Sequence, residues 1–133
     1  MREFARLQTA VLLRRLAFQL GHAAQSGDPE AIHDLRVAVR RFNTCLRVFT
    51  QFYPAHSAKR IRIELRELMK LAGVVRNLDI TLDFLREAGV PQQAALAAAL
   101  RDRRTKARAR LDRELNRWKS RAFSRKWRTR LQL

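Results

Sequence analysis

Apolar residues recur every three or four positions through most of this chain, the spacing that gathers them on one side of an α-helix, and the interruptions divide it into four runs. The first carries Phe4, Leu7, Val11, Leu12 and Phe18 and predicts a helix over 3–25. Ser26-Gly27-Asp28-Pro29 then supplies a turn, with Asp28 as N-cap and Pro29 at the first position of a second helix over 29–52. That helix stops before Tyr53-Pro54, because the residue preceding a proline disfavours the helical region. A third helix over 57–87 places Ile61, Leu65, Leu68, Leu71, Val75, Leu78, Leu82 and Leu85 on its apolar side, and Ala88-Gly89-Val90-Pro91 closes it. The fourth, over 92–131, carries Leu96, Leu100, Ala107, Leu111, Leu115, Trp118 and Ala122 on one stripe. Connections this short favour antiparallel neighbours. The expected architecture is one all-α domain over 1–133, an antiparallel four-helix bundle without sheet.

Charge changes this picture. The 29 Lys and Arg outnumber the 12 Asp and Glu to give a formal net charge of +17, and such a domain repels itself unless counterions or a polyanion neutralise it. Only Lys59, Lys70, Lys106, Lys119 and Lys126 are lysines. The remaining cations are arginines, whose planar forks match phosphate oxygens two at a time, so phosphate is the leading ligand group. Cys45 stands alone at the edge of an apolar helical face; it reads as a small buried hydrophobe, permits no intrachain disulfide and suits a reducing cytoplasm. No apolar run approaches the ~20 residues of a spanning helix. The amino-terminal segment is amphipathic and broken by Arg14 and Arg15, which does not fit a signal peptide, and the expectation is a cytoplasmic protein with no membrane partner.

The cations are ordered. At ~100° per residue, with His33 as zero, Arg36, Arg40 and Arg47 of the second helix lie at about −60°, −20° and −40°, while Leu35, Phe42, Leu46 and Phe49 cluster at about 160–220°. The third helix repeats the design through Lys59, Arg62, Arg66, Lys70, Gly73 and Asn77. At ~1.5 Å per residue the two rows are about 21 and 27 Å long, which suits an extended polyanion better than a compact ligand. Two antiparallel helices, each basic on one side, form the walls of one positive groove if they are rotated toward each other, and Gly73 lets a ligand or helix approach the backbone. Charge stripes are ordinarily solvated outer faces, but such faces mix signs at i and i+4, whereas the first row has only Asp34 nearby, off the line. His33 stands on that row as a hydrogen-bond donor to anions whose grip tightens at mildly acidic pH.

The stretches IHDLRVAVRRFNTCLRVF and LRELMKLAGVVRNLDITLDFL resemble the CHAD family, a helical domain named for a characteristic histidine. The first matches the family's H-x-L-R-V-x-x-R-R-L pattern through His33, Leu35, Arg36, Val37, Arg40 and Arg41; the second matches L-G-x-x-R-D-x-D-V through Gly73, Arg76, Asp79 and Ile80. The resemblance implies a non-catalytic domain without cofactors or metal that binds inorganic polyphosphate and associates with polyphosphate granules. Carried over by position, it implies binding by His33, Arg36, Arg40, Arg41 and Arg47, joined on the third helix by Arg66, Lys70 and Arg76, with Arg62 on the same row. Arg76 and Asp79 could instead form an internal ion pair. Asn77 stands where the family usually has Asp, Phe42 where Leu is common and Asn43 where a further basic residue often sits. Family members usually contain two related bundles facing a shared basic cleft; this chain resembles the amino-terminal one, so either it is a fragment or two copies pair as a homodimer to rebuild the cleft.

Two other readings compete. His22, His33-Asp34 and Asp79 or Asp83 mimic the ligand set of HD-type metal-dependent phosphohydrolases, although adjacent helical side chains diverge by about 100°. Non-specific nucleic-acid binding is the stronger rival, because a positive helical surface holds any phosphate backbone. The rows offer few aromatics for stacking; Trp118 fits the core stripe, and Trp127 is the remaining candidate.

Overall fold

The computed structural model describes residues 1–133 and is all-helical: α1 (Arg2–Gln25), α2 (Pro29–Val48), a 3-10 turn (Thr50–Phe52), α3 (Ala55–Glu87), α4 (Ala95–Ser120) and α5 (Phe123–Leu131). The first four pack in chain order, α1 on α2, α2 on α3 and α3 on α4, and α1 and α4 close the ring. Asp28 caps α2 by accepting a hydrogen bond from the Glu30 backbone N–H at 3.0 Å, with Pro29 at the first helical position. At the end of α3, Gly89 takes φ +82°, the left-handed conformation a glycine adopts without steric penalty. No helix is long and apolar enough to cross a membrane.

A core of 26 buried residues is drawn from all five helices. Leu35, Phe42 and Leu46 of α2 and Ile61, Leu65, Leu68 and Val75 of α3 point into it as their spacing predicts. The first helix differs. Its buried side is Ala5, Thr9, Leu13, Leu16, Leu20 and Ala23, whereas Phe4, Leu7 and Phe18 face outward. Apolar residues lie on both sides of α1, and the periodicity picks out the wrong stripe.

The last two segments also differ from expectation. α2 ends at Val48, and the chain tightens into the 3-10 turn before Pro54. The predicted fourth helix breaks at Ala122, which adopts φ 50°, ψ 55°. This break lets α5 fold back. Phe123, Trp127 and Leu131 of α5 are buried, with the Trp127 ring stacked 5.7 Å from Phe42 and edge to face with Trp118 at 5.1 Å. Aromatic burial of this size offsets the left-handed alanine, which costs about 1–2 kcal/mol.

Polar contacts hold the ends in register. The Thr9 and Tyr53 hydroxyls and the Ala5 carbonyl lie within hydrogen-bond reach of one another; with one proton each, one hydroxyl donates to the carbonyl and the other to its fellow hydroxyl or to the same carbonyl, tying α1 to the turn after α2. Burial pushes the Tyr53 hydroxyl above the ordinary tyrosine pKa, against the lowering effect of Thr9. Arg108 of α4 donates to the carbonyls of Ala23 and Ser26, satisfying acceptors at the α1 carboxyl end. Cys45 is buried and free, with its Sγ 3.4 Å from the Thr9 hydroxyl.

Candidate polyanion-binding seam

Helices α2 and α3 run side by side, and two contacts fix their register. The Arg36 guanidinium lies across the seam, its Nη2 4.0 Å from where a Cβ on Gly73 would stand. Toward the start of α2, Arg76 Nη1 is 3.7 Å from Glu30 Oε1. Both helices rise ~1.5 Å per residue, so Arg47, eleven positions after Arg36, comes about level with Arg62, eleven before Gly73. Arg36 and Arg47 of α2 and Arg62 of α3 thus border the same seam; Arg40 and Arg66 are exposed, and Arg40 also lines the groove between α1 and α2.

The electrostatics of the seam are unbalanced. Arg36, Arg40, Arg47, Arg62 and Arg66 form no ion pair among the nine in the molecule. The Nε atoms of Arg36 and Arg62 are buried with no acceptor, an arrangement costing about 1–3 kcal/mol per group. Two other expected binding cations are partly compensated. Lys70 lies 3.6 Å from Glu67, both well exposed, and Arg76 has Glu30. The five unpaired arginines leave a strip of guanidinium donors whose mutual repulsion only an external anion relieves.

Other predicted positions are deployed differently. Arg41 lies about 140° round α2 from Arg36 and lines a groove between α1 and α2 with Arg14 and Arg15. The geometry gives those two arginines the same status as Arg41, yet in the sequence they read only as interruptions of an apolar run. Arg76 and Asp79 do not pair. Asp79 instead accepts from Arg104 Nε of α4 at 2.8 Å, since its position on α3 faces α4 while Arg76 faces α2. Trp127 is buried in the aromatic cluster, which removes it as a stacking platform for bases.

His33 sits on the first turns of α2, where it, Glu30 and Asp34 bring one ligand atom each within 4.8 Å of one another. Their i, i+3 and i+4 relation draws these side chains together despite the divergence of adjacent Cβ vectors. His22, Asp79 and Asp83 are not part of that group. The ligand set of the phosphohydrolase reading is therefore not assembled.

These features define a class of protein: a helical bundle presenting an unneutralised cationic seam along two adjacent rods. The chain belongs to the CHAD family, whose domain model, described as "CHAD domain", matches residues 9–133. CHAD domains in general bind polyphosphate. No curated protein and no solved structure matches the chain.

Proposed function

We propose that this chain binds inorganic polyphosphate, without catalysing a reaction on it, along the α2–α3 seam. His33, Arg36, Arg40 and Arg47 contact the anion from α2 and Arg62, Arg66, Lys70 and Arg76 contact it from α3; Arg41 lies at the margin. The observation that carries this reading is the placement of Arg36, which lies over bare Gly73 with no carboxylate partner and a buried, acceptorless Nε. The Nη groups of Arg36 make no hydrogen bond within the chain and are free to donate to a phosphate oxygen. An extended chain of such oxygens, repeated along about 16 Å between the Arg36 and Arg47 levels, satisfies several guanidinium groups at once. Family membership supports the ligand class, and the buried Trp118 and Trp127 leave the surface without tryptophans on which bases would stack.

The test is a competition titration of labelled polyphosphate against duplex DNA and single-stranded RNA at fixed salt. Polyphosphate is expected to displace either nucleic acid at lower phosphate concentration, with a log–log salt slope on the order of one per phosphate neutralised. Preference for a nucleic acid would overturn the reading.

A further inference from the structure

Helix α1 carries an apolar stripe that the bundle does not use. Phe4, Leu7 and Phe18 are 54, 53 and 69% exposed, and Val48 across the α1–α2 junction is 66% exposed. A helix with apolar residues on both sides is ordinarily buried on both, and clustered exposed apolar side chains mark interaction surfaces. Beside this stripe, α1 and α2 enclose a long groove in two stretches that share Leu12 and Arg41 and so run together. Its floor is aliphatic, with Val11, Leu12 and Val37, and Phe4 and Phe49, packed edge to face at 6.1 Å, line one end.

The rim is cationic. Arg14 and Arg15 stand on the α1 side and Arg40 and Arg41 on the α2 side. None of the four makes an ion pair, and Asp34 is the single carboxylate in the groove. Gln19 lines the same groove with its Oε1 buried and without a donor.

We infer that the α1–α2 groove is a docking site for an acidic amphipathic helix of a partner protein. The occupant must bring apolar side chains for the floor, carboxylates for the rim and a hydrogen-bond donor for Gln19. Bare polyphosphate brings only negative charge. A second copy of this chain brings the same unpaired arginines and a net charge of +17, so like meets like. A flat bilayer reaches Phe18 and the arginines but not the floor between two helices, and bases stack on flat rings, not on an aliphatic trough. A helix fits in shape as well: from Phe4 to Phe18 the groove spans about 21 Å, or about four turns, and its apolar side faces in while Glu or Asp on its flanks reach the arginines. The groove and the polyphosphate seam flank α2 on two sides, with Arg40 and Arg41 standing between them.

The probe is a fluorescein-labelled synthetic helix of about 18 residues, five turns, with Leu on one side and Glu on the rest, compared with a scrambled peptide of the same composition. By fluorescence anisotropy the amphipathic peptide is expected to bind the intact chain at least about tenfold more tightly than the scrambled one. The double variant Phe18→Ser/Val48→Ser and the double variant Arg14→Glu/Arg15→Glu are each expected to lose about tenfold or more in peptide affinity. The first of these, which removes no charge, keeps its polyphosphate affinity, and that retained binding reports an intact fold. Hydrogen exchange with peptide bound is expected to slow in α1 and not in α4. Equal binding of the scrambled peptide, undiminished binding by Phe18→Ser/Val48→Ser, or stronger dependence of that variant on anionic phospholipid vesicles than on the peptide would each overturn the inference.

Discussion

The charged tip of Arg36 overhangs a glycine and has no carboxylate partner, a placement that makes sense when an anion is the missing partner. The glycine supplies a direct test. A Cβ at Gly73 meets only Arg36 Nη2, at 4.0 Å, an ordinary contact, while glycine in mid-helix is less stable than alanine by about 0.5–1 kcal/mol. Gly73→Ala is therefore expected to raise the denaturation midpoint while weakening polyphosphate binding several-fold; equal affinity with higher stability would show that the ligand does not use that space. Glu114 makes a second, independent prediction. Burial by itself would raise its pKa, but hydrogen bonds donated by Arg117 and Trp118 and the charges of Arg117 and Arg121 outweigh that and hold it below the ordinary glutamate value of 4.5. The stabilisation is thus fully present above about pH 4.5 and is lost as pH falls through the lowered folded-state value. In acid titrations followed by circular dichroism, Glu114→Gln should lose less stability between about pH 5 and 3 than the parent. At this scale the cationic rows were legible because i, i+3 and i+4 arithmetic needs no tertiary knowledge. The partners of Arg41, Arg76 and Asp79 were not: which flank of α2 meets α1 and which meets α3 depends on the handedness of the bundle, and hydrophobic spacing is the same for both hands.

The elements show where spacing suffices and where it fails. Proline and glycine punctuation located the turns at 26–28, 53–54 and 88–91, because each signal acts through its own backbone geometry, although α4 begins only at Ala95 and not at 92. Helix α1 defeated the same method. Its two apolar stripes, Leu13-Leu16-Leu20 and Phe4-Leu7-Phe18, are both helical in period, and only packing decides which is buried. The break at Ala122 carried no glycine or proline to announce it, and its cause is long-range: Phe123 and Trp127 reach Trp118 and Phe42 only if the chain reverses there. This predicts that Ala122→Gly, which relieves a left-handed alanine at φ 50°, stabilises the fold by about 0.5–1 kcal/mol after allowing for the extra freedom of the unfolded chain. Thermal melts should show a rise of about 2–5 °C; a fall would mean that α4 and α5 form one continuous helix in solution.

Across the whole molecule, the net charge of +17 is spread over surfaces with different uses. On α4, Arg104 and Arg108 tie the helix to α3 and α1, and Arg121 just past its end pairs with Glu64 of α3. On the α2–α3 seam it is unpaired, and unpaired cations destabilise a free protein while preparing it for an anion. Removing them should therefore separate stability from binding. The most direct measurement is the affinity for polyphosphate, at fixed salt, of the parent and of the triple variant Arg36→Ala/Arg40→Ala/Arg66→Ala. Each lost charge-assisted contact is worth about 1.5–3 kcal/mol, so the triple variant is predicted to bind at least about a hundredfold more weakly while melting at the same temperature or higher. A triple variant that binds polyphosphate as tightly as the parent would contradict the account.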